Sequence, residues 1–412
     1  MQLFPKLFAS LILVSSQPCL ASQPLLAEKD LAIVLGTALK PGIKFSDRDN
    51  LFPSKWYKTI LKSYQETSVG PGLAQENNES QWQLMSIRVV PCQPLVLSSS
   101  AEPNTFCYPQ LRLIWQPIVS NIKLWGRWFK DYGDDRAIHA LYDIDPYLHL
   151  PPKDALHLAQ LKGEIKKAAR DHPGKPPLTP IQGQAYVELR NLVTGAFLAK
   201  THALRDPDLD TKEYQTHGFR PEVLILDGSK LRQRILKFLA HYTSPKAMTD
   251  ITSFSLPAGR EPAHIDEWVM LSFTADGKGD IKPKDVAIHH SHTGELIGKL
   301  PAFHSASQLR DDEVLYQQEN EFLRNQVFLY AGSQHDELKM RIMDPNQTMI
   351  PNTSCSSCHR FNSMRFNFHN LSKFGTDPVE VTERVRRDVA YDLKWFKTLG
   401  KPASQQSANY YE

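Results

Sequence analysis

Proline limits the fold of this chain more than any other residue: 29 prolines, against 20 glycines, are spread over 412 residues. Each one removes a backbone donor and fixes φ, so a long interior helix breaks wherever proline falls. The chain is therefore expected to use short elements and extended, proline-stopped connections, not a long-helix bundle or a glycine-rich phosphate binder. An apolar fraction of 41% suffices for a sizeable core, and the length points to two or three domains. With 48 basic and 45 acidic residues the net charge is only +3. That balance argues against a dedicated binder of nucleic acid or of membrane surfaces.

Residues 1–21 read as a secretory signal that is cleaved on export. Lys6 supplies the positive flank, Leu7 to Val14 form a short apolar run, and Ala21 follows Cys19 and Leu20 in an A-x-A-like pattern. The run is too short to cross a bilayer, where about 20 apolar residues are needed. No later run reaches that length, so the expectation is an exported protein with no membrane span, periplasmic or secreted from a bacterium. Cys19 as a lipoprotein cysteine is the less favoured reading, because Ser16, Gln17 and Pro18 are poor neighbours for that signal.

Export sets an oxidising context for the remaining cysteines, Cys92, Cys107, Cys355 and Cys358. Trp82 to Leu97 and Gln110 to Val119 are rich in Val, Ile, Leu and Trp, and the turn-forming cluster between them predicts two neighbouring strands. Cys92 and Cys107 flank that turn region, so a disulfide across the hairpin is the natural pairing, with two unpaired buried thiols as the alternative.

Four regions are expected along the chain: the signal at 1–21, a β-rich region at 22–174, a mixed α/β region at 175–340 and a small terminal module at 341–412. Aromatics punctuate the first large region at Trp115, Trp125, Trp128 and Phe129. Helices are predicted over Lys153 to Arg170, from a Ser229 cap to Tyr242, and over Asp311 to Phe328; Trp268 to Phe273 reads as a strand. The three prolines in Lys175 to Pro180 mark an internal linker. Val381, Val385, Val389, Leu393, Phe396 and Leu399 recur at three and four residues, predicting a helix stopped by Gly400 and Pro402.

Two metal-like patterns are weak. Thr274 to Asp285 has Asp276, Gly279, Ile281 and Asp285 at calcium-loop positions, but Thr274 and Lys278 stand where oxygen ligands are required, so a glycine-rich surface turn is the better reading. His289, His290 and His292 lack an evident further ligand and read as a polar strand or loop.

Cys355, Ser356, Ser357, Cys358 and His359 form the most specific motif, CSSCH. Two thiols at this spacing can each bond a haem vinyl group, with the adjacent imidazole under the iron. The pentapeptide resembles the attachment site of c-type cytochromes. The resemblance implies one covalent haem c, held by Cys355 and Cys358 with His359 as proximal iron ligand, and it covers only the motif and its flanks. A redox-active CxxC, a plain disulfide, and a zinc site completed by His359 and His369 remain as alternatives.

The sequence departs from the commonest cytochrome pattern, since the only methionine after His359 is Met364, five residues on. The sixth ligand is expected from His369, from upstream methionines such as Met349, or from a more distant histidine, or the position is open. Arg360 and Arg365, between Phe361, Phe366 and Phe368, are candidates to pair with the haem propionates. The expected architecture is mixed α+β: a β-rich N-terminal region with several helices, and a small, mainly helical, C-terminal haem-binding module packed against it. The expected function is electron transfer between periplasmic redox partners. A haem enzyme with an open sixth site, peroxidase-like or gas-binding, is the first alternative, and a non-haem secreted binding protein with a CxxC disulfide is the second.

Overall fold

The computed structural model describes residues 31–34, 43–47, 51–66, 78–90, 110–124, 127–133, 136–144, 201, 204, 230–255, 269–290, 296–305, 313–316 and 383–396. These residues form twelve strands and three α-helices: β1 Ala32–Val34, α1 Ser54–Glu66, β2 Trp82–Val90, β3 Gln110–Leu124, β4 Arg127–Gly133, β5 Ala137–Asp143, α2 Lys230–Tyr242, β6 Met248–Ser255, β7 Val269–Ala275, β8 Ile281–Pro283, β9 Val286–His290, β10 Leu296–Leu300, β11 Phe303–Ser305, β12 Glu313–Tyr316 and α3 Glu383–Phe396.

Nine strands make one antiparallel sheet, with the order β1-β2-β3-β5-β6-β7-β11; β4 pairs with the far half of β3 and β8 with β7. The predicted pair of strands lies toward one edge of it, as the second and third in the order: Trp82 lies opposite Pro117 and Val90 opposite Gln110, with a register shift between Leu84 and Ser86. β5 and β6 are direct neighbours, Ala137 opposite Phe254, so the sheet runs continuously across the stretch that contains the expected linker. A second sheet, β10-β9-β12, stands apart.

Strand alternation gives the main sheet two unlike faces. Ile87 and Val89 of β2, Leu111, Leu113 and Trp115 of β3, and Leu271 and Phe273 of β7 belong to the main hydrophobic cluster. α1 covers this face because Trp56, Tyr57, Ile60 and Tyr64 recur at helical spacing and are all buried. It is fastened by the Tyr64 hydroxyl with Ser253 Oγ at 2.9 Å and by Trp56 Nε1 donating to the Gly279 carbonyl at 3.2 Å. Phe45 joins the aromatic nucleus, stacked on Phe52 at 4.5 Å and edge-on to Trp115 at 4.8 Å. α2, as predicted, buries Ile235, Phe238 and Leu239. Its last turn is closed by Thr243, whose N–H and hydroxyl both donate to the Leu239 carbonyl, and Arg232 ties it to Asp47 at 2.6 Å.

The structure corrects the sequence in three places. The expected mixed α+β architecture with a small, mainly helical terminal module is not what the described residues form. They are dominated by antiparallel sheet, and residues 341–412 contribute one described helix, α3. Its apolar stripe of Val385, Val389 and Leu393 packs on the hydrophobic cluster of the sheet, so it is committed there and not to a core of its own. Second, Glu313–Tyr316, inside the predicted helix 311–328, is a strand: Val314 and Tyr316 suit a pleated ladder, and Glu313 and Tyr316 lie opposite His290 and Ala287. Third, α1 falls in the region read as β-rich, over residues for which no helix was predicted. Residues 153–170 and the linker 175–180 lie outside the described residues. Among the described residues no helix is long and apolar enough to cross a membrane.

Candidate functional site

The residues of the haem-attachment motif, Cys355, Cys358 and His359, lie outside the described residues, as do Arg360, Arg365, His369 and Met349. Cys92 and Cys107 lie outside them too, but their approaches do not. β2 ends at Val90 and β3 begins at Gln110, and these two residues are directly opposite in the ladder. The chain therefore leaves the sheet toward Cys92 and re-enters it from Cys107 at adjoining positions.

Downstream of the motif, the first described element is α3. Its sequence carries two parallel stripes at four-residue spacing: Val385, Val389 and Leu393, and beside them Arg384, Asp388 and Asp392. The polar stripe is buried against Arg88 of β2. Arg88 Nη1 donates to the Val385 carbonyl at 3.3 Å, and its Nη2 lies 3.7 Å from Asp388 and 3.5 Å from Asp392. Arg384 grips the same Asp388 with Nη2 at 2.8 Å and Nε at 3.3 Å. Alternation along β2 places Arg88 on the face opposite Ile87 and Val89, next to Arg112 in the adjoining strand.

Electrostatically, the four groups are unequal. Asp388 receives both guanidinium groups. Asp392 is 2% exposed, and burial pushes its carboxyl well above the usual carboxylate range; Asp388 adds to that, while Arg88 and Arg384 oppose it. Arg88 Nε is buried and has no partner among the described residues. The arrangement ties α3 to the sheet by charged groups that have left water, and removing Asp388, which both guanidinium groups face, strands them at a large desolvation cost. It contains no nucleophile paired with a base. Sequence reasoning missed it, although the 384–388–392 stripe was available as a second helical period beside the apolar one.

The two metal-like patterns resolve differently. Residues 274–282 form a β7–β8 hairpin, Thr274 opposite Lys282, and the turn is glycine-rich as read. Gly277 and Gly279 have φ of 78° and 88°. Asp276 Oδ1 is taken by the N–H groups of Lys278 and Asp280, at 2.7 and 2.8 Å, which hold its carboxyl below the usual range. Lys55 lies 3.6 Å from Asp280. His289 and His290 stand on β9, and His292 is outside the described residues. Among the described residues, no three His, Cys, Asp or Glu side chains come together as metal ligands.

Comparison with protein-family models, with curated proteins and with solved structures returned no match.

Proposed function

We propose that this chain is an exported, single-haem, c-type-cytochrome-like protein that transfers electrons between partners in the bacterial periplasm. The pentapeptide Cys355–Ser356–Ser357–Cys358–His359 carries the reading: two thiolates and an imidazole within five residues are a donor set suited to covalent haem and an iron ligand. The apolar, lysine-flanked leader supports it, because this chemistry is performed on exported chains. The Cys355 and Cys358 sulfurs would hold the porphyrin through thioethers, and the His359 imidazole would bind the iron on one side. The haem would supply one-electron redox chemistry. The protein's part is to fix the ring, limit its exposure to water and set its potential through the remaining ligand.

The roughly 300 residues ahead of the motif, with no electron-transfer motif of their own and enough chain to shape a substrate pocket, motivate a second reading, a haem enzyme with an open sixth position. One preparation tests both. The protein matured in a bacterial host with haem-attachment machinery is expected to keep a haem stain through denaturing electrophoresis, and Cys355→Ser with Cys358→Ser to lose it. Low-spin bands unaffected by carbon monoxide support electron transfer, whereas a high-spin, ligand-accessible iron supports the enzyme. A colourless wild-type protein overturns both and leaves a secreted CxxC protein.

A further inference from the structure

From Ile118 onward the long strand β3 has no pairing with its neighbours β2 and β5 among the described residues. Its pairing with β2 ends at Pro117 and with β5 at Trp115, while Ile118 to Leu124 pair only with β4 among the described residues. The result is a two-stranded ribbon of seven ladder positions, about 23 Å long at the usual rise per residue. A ribbon of this kind is marginally stable alone in water.

Its composition is unusual for a solvated arm. Ile122 is opposite Phe129, Val119 opposite Tyr132, and Lys123 opposite Trp128, so apolar residues fall at both alternating sets of positions, and neither face is simply polar. Trp128 is 71% exposed, far more than any other tryptophan described. Lys123 is directly opposite it in the ladder and Lys130 stands two positions along on the same face, while Arg127 precedes it on the other face; the only carboxylate of the two paired segments is Asp131. Over the whole chain the charge is nearly balanced; here cations and aromatics are concentrated on one element.

We propose that the β3–β4 ribbon is a docking arm for an anionic lipid surface, with Trp128 seated at the headgroup level and Lys123, Arg127 and Lys130 supplying the attraction. Tryptophan and tyrosine favour the membrane–water interface, where an apolar ring and a polar edge are both satisfied. Basic residues beside them are drawn to an anionic leaflet within a Debye length. Charge complementarity selects lipid over a second copy of the chain, whose identical ribbon would bring like charges together. The proposal is independent of the haem reading.

The test uses the full-length protein with vesicles of phosphatidylglycerol and phosphatidylcholine, and with phosphatidylcholine alone. Sedimentation is expected with the anionic vesicles only and to weaken at high salt. Brominated acyl chains are expected to quench part of the tryptophan emission, and Trp128→Phe to abolish that part. The double variant Lys123→Glu, Lys130→Glu is expected to partition at least about thirtyfold more weakly, from the attraction each lost basic residue contributed and the repulsion each glutamate adds. Failure to sediment, or binding unchanged in both variants, overturns the proposal. So does a soluble dimer that Trp128→Ser dissolves while vesicles capture nothing, which assigns the ribbon to a second copy.

Discussion

Asp388 and Asp392 sit one helical turn apart, yet the same substitution is expected to affect them differently. Asp388 accepts from Arg384 and faces Arg88, so Asp388→Asn strands two buried guanidinium groups and is expected to cost about 3 kcal/mol in a urea melt at neutral pH. Asp392 is held toward its neutral form by burial, so Asp392→Asn resembles the state the site already favours and is expected to cost under about 1 kcal/mol. The sign of the pH dependence follows. A carboxyl whose folded pKa is raised contributes its full stability below the unfolded value, near about 4, and loses it as pH rises through the folded value. Across that window the wild type is expected to lose stability relative to Asp392→Asn, read as converging and then crossing melting temperatures. The polar stripe of α3 was open to reading as a helical period, but its partner was not. Arg88 lies in a strand of Val, Ile and Met, and its counter-charges, Asp388 and Asp392, lie 300 and 304 positions away, so no local pattern connects them.

Among the elements, those legible beforehand had a period that tertiary packing then used. β2 and β3 were visible as apolar, β-branched runs, and α2 as a stripe of Leu231, Ile235, Phe238 and Leu239. The predicted helix 311–328 failed because Glu313–Tyr316 finds its partners on β9, and ladder pairing is invisible in a single segment. α1 was overlooked because it follows Pro53, although proline is well placed just ahead of a helix and the 56–60–64 spacing was present. The β7–β8 hairpin gives a sharp check: Gly279 has φ of 88° with open space where a Cβ would stand, so Gly279→Ala is expected to cost about 1 kcal/mol through backbone strain alone. At the β2–β3 hairpin, the opposition of Val90 and Gln110 favours a Cys92–Cys107 bridge. Non-reducing mass mapping is expected to recover the linked peptides, and replacing both cysteines by serine to lower stability by about 3 kcal/mol; two free thiols in the oxidised protein would refute the bridge.

At the scale of the whole molecule, the antiparallel sheet joins strands from residue 32 to residue 305, and α3 closes back on its second strand. The haem motif was legible because five contiguous residues define it, whereas the architecture around it rests on pairings between distant segments. The clasp between Arg88 and α3 also sets an order of events. β2 and β3 can pair soon after synthesis, but the guanidinium beside them waits for the carboxylates of Asp388 and Asp392, encoded 300 and 304 positions later, and contacts so distant in sequence are slow to form. Until they arrive, the early sheet carries a cation it cannot bury without penalty. A product truncated before residue 384 never receives the counter-charge, so premature termination would leave a chain marked for proteolysis by its own half-built interior.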